Sequence, residues 1–120
     1  MKTQRQKIGK KGEKLAIKFL KKRKYKIVDR NYRADRYGEL DIVAKDKSEL
    51  VFVEVKTKTD EQFGSPEEEF TYQKKRSMRR AIQNYLFKKY LTDKEWRADL
   101  IAVEITGGKS EIRHYENVGL

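Results

Sequence analysis

Asp41, Glu54 and Lys56 are the residues of this chain whose types and spacing could do chemistry together, and that chemistry is metal-assisted phosphodiester hydrolysis. In the run Leu50-Val51-Phe52-Val53-Glu54-Val55-Lys56-Thr57-Lys58 the side chains of a strand would alternate across its faces. Phe52, Glu54 and Lys56 then share one face, and Val51, Val53 and Val55 the other. A strand this apolar belongs in the middle of a sheet, near a partly buried surface. Charges there cost on the order of several kcal/mol each unless paired or bound to metal. Glu54 and Lys56 at i, i+2 also fit a plain ion pair, so the segment alone leaves both readings open. Asp41 changes the balance. It heads Gly38-Glu39-Leu40-Asp41-Ile42-Val43, thirteen residues before Glu54, with the turn Asp46-Lys47-Ser48-Glu49 near the middle. In an antiparallel hairpin the start of the first strand lies beside the end of the second, so both carboxylates and Lys56 converge. Two hard oxygen ligands with open positions suit Mg²⁺ or Mn²⁺. Such an ion stabilises charge on a phosphodiester and acidifies an attacking water, which Lys56 would steer.

These residues need elements to hold them. Periodicity predicts a helix over 5–23, with Ile8, Leu15 and Phe19 on one face and Gly9 and Gly12 fraying its start. A short strand at Tyr25–Val28 and a polar turn from Asn31 to Tyr37 follow, then the hairpin strands 40–45 and 50–58. Ser65, Pro66 and Glu68 read as the capping box of a second helix, with Glu67, Glu68 and Glu69 complementing its dipole. Phe70, Ser77, Ala81, Ile82, Tyr85 and Leu86 form its buried stripe. Ala98–Ile105 is a strand, turned by Thr106-Gly107-Gly108-Lys109 into Glu111–Tyr115. Strand, long helix and strand form a parallel crossover, so the expected fold is α/β, a mixed central sheet with flanking helices. At 120 residues the chain makes one domain, 1–120, with a basic N-terminal helix at 1–36.

The net charge of +11 is unevenly spread. Residues 1–36 hold 15 basic and 3 acidic groups, a net of +12, whereas residues 37–120 hold 15 and 16, a net of −1. A one-sided basic patch is the footprint of a polyanion binder. A solvated lysine face that aids solubility is the plainer alternative. With no cysteine there is no disulfide, thiolate metal site or cysteine nucleophile, which fits a reducing compartment. No apolar run approaches the ~18 residues of a membrane span. The opening MKTQRQKIGKKGEK lacks the apolar core of a signal peptide, so a cytoplasmic location is expected.

Asp41…Glu54-Val55-Lys56 matches the PD-(D/E)xK nuclease signature, with Leu40 where that pattern has proline. Further matches run the length of the chain: Gly12-Glu13, Asn31-Tyr32-Arg33, Gly38 to Ala44, Leu50 to Lys56, Phe63-Gly64-Ser65-Pro66-Glu67, Asp99-Leu100-Ile101 and His114-Tyr115-Glu116-Asn117. Their order and spacing resemble the YraN family, itself similar in fold to archaeal Holliday-junction resolvases. Only the ending Val118-Gly119-Leu120 departs, lacking the family's aromatic terminus. The resemblance implies a restriction-endonuclease-like core of order α-β-β-β-α-β-β. It implies Asp41, Glu54 and Lys56 as the metal and catalytic set, joined by Glu13 from the first helix. Glu39, on the strand face of Asp41, is either a further metal ligand or partner of one, or a solvent-facing acid beside a turn. Gln73 and Lys74 fall where related folds set a polar residue toward the site.

Other residues carry less. His114 is the sole histidine and has no zinc-ligating companions. Asp99 reads as a structural carboxylate pairing with Arg97 or Arg33, Tyr85 and Tyr90 as helix packing, and Trp96 as the exposed aromatic. The leading expectation is a metal-dependent endonuclease acting on branched or damaged DNA, with DNA favoured over RNA and a homodimer as in junction resolvases. The alternatives are a non-catalytic nucleic-acid-binding protein that keeps the nuclease fold, or an interaction protein presenting its lysine-rich helix to an acidic surface.

Overall fold

The computed structural model describes residues 1–60 and 62–120. Helix α1, Gln4–Lys22, begins where Thr3 accepts the Gln6 amide and the Gln6 side chain accepts the Thr3 amide, a reciprocal cap that holds the turn expected to fray. The helix is thus shorter than the basic segment 1–36, which continues into β1, Lys26–Arg33. That strand also runs past the predicted Val28, because residues 26–33 pair with the hairpin strand β2, Glu39–Asp46. β2 turns through Lys47-Ser48 into β3, Glu49–Thr59. Helix α2, Tyr72–Lys88, leads to β4, Trp96–Thr106, and a Gly107-Gly108 hairpin with positive φ at both positions returns as β5, Lys109–Tyr115.

The five strands order β1-β2-β3-β4-β5, with β3 and β4 parallel across the α2 crossover and the other pairs antiparallel. This is the mixed sheet of a restriction-endonuclease-like core, in the element order the sequence implied. Alternation along β3 feeds two cores. Val51 and Val53 pack with Ala16, Ile17 and Leu20 of α1, while Leu50 and Phe52 pack with Met78, Ile82 and Tyr85 of α2. Among the described residues no helix is long and apolar enough to cross a membrane.

Several local expectations change. Ser65 does form a capping box with Glu68, but it caps a 3-10 turn, Pro66–Glu69; α2 starts later, capped by Thr71. The three glutamates therefore sit on that turn and not at the α2 dipole. Met78 takes the buried position assigned to Ser77, which is exposed. Trp96 is partly buried, its ring edge-on to Phe52 at 5.8 Å, and the exposed aromatics are Phe63, Tyr72, Phe87, Tyr90 and Tyr115. Tyr90 lies beyond the last turn of α2, so it faces solvent, whereas Tyr85 is buried as expected.

Gly12 sets the distance between α1 and β3. A Cβ there would lie 1.8 Å from Thr57 Oγ1 and 2.9 Å from Thr57 Cβ, too close for a short branched side chain to evade. Gly12→Ala is expected to cost about 1–3 kcal/mol by forcing helix and strand apart. Urea unfolding checks it, and Thr57→Ala in the same chain should restore part of the loss. Full stability in the single variant would show that the contact is not tight.

Candidate active site

The paired register of β2 and β3 runs from Asp46–Glu49 to Ile42–Val53 and stops there. One step further brings Asp41 level with Glu54. Instead of ladder bonds, Asp41 Oδ2 accepts the Val55 amide at 2.9 Å. Leu40 and Val43 both enter the core under α2, so strict alternation breaks across Leu40-Asp41-Ile42. Where the strands part, a cavity of about 220 Å³ opens, lined by Glu13, Asp41, Glu54, Lys56, Gln62 and Lys74.

Each lining residue has a local reason to be there. Glu54 and Lys56 share a β3 face, and Lys56 Nζ lies 3.3 Å from Glu54 Oε2 with side chains only 16% and 11% exposed respectively. Glu13 follows Gly12, whose bare backbone brings α1 down onto β3. Lys74, exposed in the first turn of α2, stands four residues before buried Met78 and reaches over the cavity. On the rim, Lys58 pairs with Glu69 at 3.2 Å and Arg5 with the same carboxylate at 3.7 Å.

The lining balances four acids, Glu13, Asp41, Glu54 and Glu69, against four bases, Arg5, Lys56, Lys58 and Lys74, but its carboxylates sit close together. Burial, then the facing Glu54 carboxylate, hold the Asp41 carboxyl well above its ordinary 3.8, against the pull of the Val55 amide and Lys56. Burial also raises Glu13, which Lys10 lowers and Glu39 and Glu54 raise again. The donor set is hard oxygen, and among the described residues Asp41 and Glu54 each keep a carboxylate oxygen without a protein partner. That set fits a hard divalent cation in kind. In number it falls short: among the described residues no three carboxylate, histidine or cysteine side chains are grouped to hold an ion.

Of the residues singled out from sequence, Asp41, Glu54, Lys56, Glu13 and Lys74 thus come together. Glu39 does not line the cavity; it is exposed and faces Arg33 at 3.6 Å, because β2 turns it outward beside Gly38. Gln73 is exposed and likewise absent from the lining; Lys74, the next residue and also exposed, reaches the cavity.

The model of the family described as "Uncharacterised protein family UPF0102" matches residues 12–103. The chain belongs to this family. A UPF0102 protein of Carboxydothermus hydrogenoformans is 41% identical over 114 residues, covering 95% of this chain and 96% of the relative. One from Alkaliphilus oremlandii is 43% identical over 113 residues, 92% of this chain and 96% of the relative. One from Desulfosudis oleivorans is 51% identical over 86 residues, 72% and 69%. UPF0102 is related at superfamily level to PD-(D/E)xK nucleases and Holliday-junction resolvases, as the YraN-type resemblance implied.

On the α1 side of the sheet, level with Val51 and Val53, this UPF0102 chain carries a second polar cluster. Asp99, fully buried, accepts Arg97 Nε at 3.1 Å and the Asn117 amide at 2.9 Å, and its Oδ2 lies 2.8 Å from His114 Nε2. Arg97 in turn donates to Tyr25 Oη at 2.7 Å and Glu49 at 2.9 Å. Asp99 therefore pairs with Arg97, as one of the two expected partners, and His114 is structural, its side chain 4% exposed between Phe19 and Tyr25. Arg113 escaped sequence reasoning. It joins Glu67, Glu104 and Glu111, and its bond holds the Glu67 carboxyl down at about 2. Only Glu104 and Glu111 had a legible signal, lying across β4 and β5 from each other with Arg113 two residues on.

Proposed function

We propose that this protein binds nucleic acid on a nuclease-type fold, and that α1 is its main phosphate contact. One observation carries this reading. The same helix holds Lys7, Lys11, Lys14 and Lys18 in solvent with no salt bridge among the described residues, with Lys10 beside Glu13, which the helix lends to the cavity. Lysines free of ion pairs are available to displace counterions from a phosphate backbone. The superfamily relationship supports the same partner, and DNA is the form proposed.

A second reading, hydrolysis, is favoured by the pairing of Glu54 and Lys56 beside the raised Asp41 carboxyl in one cavity. On this reading Asp41 and Glu54 would hold Mg²⁺ or Mn²⁺, which would supply charge stabilisation at the phosphate and a more acidic water. Lys56 and Lys74 would place their ammonium groups toward the bound phosphate.

The test is binding and cutting of labelled four-way junction, flap, duplex, single strand and structured RNA, in Mg²⁺, Mn²⁺ and EDTA, beside Glu54→Gln. Binding in EDTA that weakens linearly in log K against log salt is expected. Changing Lys10, Lys14 and Lys18 together to Ala should flatten that slope by about 2 or more. Salt-independent or absent binding sinks the first reading. Metal-dependent cutting lost in Glu54→Gln establishes the second, and uncut nucleic acid in every lane removes it.

A further inference from the structure

The strongest basic surface outside α1 is on the outer face of α2. This helix carries Lys74, Lys75, Arg76, Arg79, Arg80 and Lys88 and no acidic residue. Arg76, Arg79 and Arg80 are exposed and have no ion-pair partner among the described residues. They fall at the spacing that groups them on one side of a helix, opposite buried Met78, Ala81, Ile82 and Tyr85. Two aromatic rings bracket them on that side, Tyr72 at 76% exposure and Phe87 at 74%. From Tyr72 to Phe87 the helix rises about 22 Å.

Two open grooves lie along this stripe. One, of about 670 Å³, includes Tyr72, Arg76, Arg79 and Arg80. The other, of about 590 Å³, includes Arg80, Gln83, Phe87 and Arg36, whose guanidinium sits 5.3 Å from the centre of the Tyr37 ring. Both are larger than the Asp41–Glu54 cavity, and both are bordered by cations and aromatics. The N-terminal turn of α2 joins the stripe to the cavity, since Lys74 faces the cavity and its neighbours Tyr72 and Arg76 face outward.

We propose that this face of α2 is a track for an unpaired nucleic-acid strand, which leaves the Asp41–Glu54 cavity around the first turn of α2. The inference rests on the nucleic-acid-binding reading and names the form bound. Unpaired guanidinium groups match a phosphate chain. Exposed rings on either side of them match bases free to stack, which the interior of a duplex does not offer. A run of like charges also opposes pairing of this face with its own copy.

The experiment is fluorescence anisotropy in EDTA with the full chain, a labelled thymidylate 20-mer and a blunt duplex of equal length. Tested beside the wild type are Arg76→Ala/Arg79→Ala/Arg80→Ala, Phe87→Ala, and the α1 triple change at Lys10, Lys14 and Lys18. The α2 triple variant is expected to lose most of its single-strand affinity and to flatten the salt slope by about 2. Phe87→Ala should weaken single-strand binding on the order of 10-fold with its slope unchanged, and leave the duplex nearly unaffected. Circular dichroism confirms that each variant is folded, which these exposed positions permit; Arg80→Gln alone serves if the triple variant is not. Wild-type binding matched by the α2 variants overturns the track and spares the nucleic-acid reading. Equal losses for strand and duplex overturn the single-strand assignment. No binding by the wild type overturns both.

Discussion

Asp99→Ala is expected to destabilise the protein by about 3–5 kcal/mol, the cost of removing one partner from a buried charge pair. The side chain is fully buried, and its loss takes from Arg97 its one fully buried carboxylate, leaving Glu49, Asp46 and Glu116 at the rim, and leaves the Asn117 amide and His114 Nε2 without their partner. His114 Nδ1 already has no partner, so the imidazole would then make no hydrogen bond at either nitrogen. A drop in Tm of more than about 10 °C follows for a domain of this size. Asp99→Asn should fall between, keeping an acceptor while losing the charge. The pH dependence has a definite sign. Burial raises Asp99, but His114, the Asn117 amide and Arg97 outweigh it and leave the carboxyl below its ordinary 3.8. Its stabilising contribution is therefore complete above 3.8 and is lost only as pH falls through the lower folded-state value. A Tm change under about 3 °C in Asp99→Ala would mean that Glu49 and Glu116 satisfy Arg97 without it.

At the cavity the opposite sign is expected. The Asp41 carboxyl is raised in the folded state, chiefly by burial and then by Glu54. A raised acid favours the folded form most below 3.8, and this advantage is lost as pH rises through the raised value. Asp41→Asn removes the charge and keeps an oxygen for the Val55 amide, so it should stabilise by about 0.5–2 kcal/mol at neutral pH. The gain should shrink as pH falls toward 4. On the hydrolytic reading the same change lowers cutting by at least about 10²–10³-fold. Thermal melts across pH and turnover in Mg²⁺ would be measured on one preparation. A variant less stable than the wild type at neutral pH would show that the Val55 contact outweighs the repulsion. A more stable variant that still cuts would remove Asp41 from any reaction.

The sequence carried the hairpin geometry because two rules with little freedom fix it: strand alternation and the antiparallel return of a short turn. Those rules brought Asp41 level with Glu54 and put Lys56 on the same face. Glu39 lies outside the cavity because β2 leaves β3 one residue before Ile42 while staying paired to β1, and alternation breaks between Leu40 and Ile42. The Ser65 capping box was real but local. A cap reports a turn of helix, and here the turn is a 3-10 segment whose three acids are spent on Arg113, Ser65 and Lys58. Charge counting failed at α2 for a different reason. Its six basic residues disappear into a nearly neutral net over residues 37–120, because the balancing acids lie on strands and turns elsewhere.

The bond from the Val55 amide to Asp41 makes one backbone proton a reporter of what happens in the cavity. That amide has left the β2 ladder, so its shielding from solvent exchange depends on the Asp41 side chain. A ligand that takes only the outer oxygen of Asp41 leaves the proton held, and its exchange slow. A ligand that takes both oxygens must let the amide go, and Val55 exchange would accelerate while its neighbours within the parallel ladder to β4 stayed protected. The way β2 ends thus ties occupancy of the cavity to the opening of a single hydrogen bond, readable without any turnover.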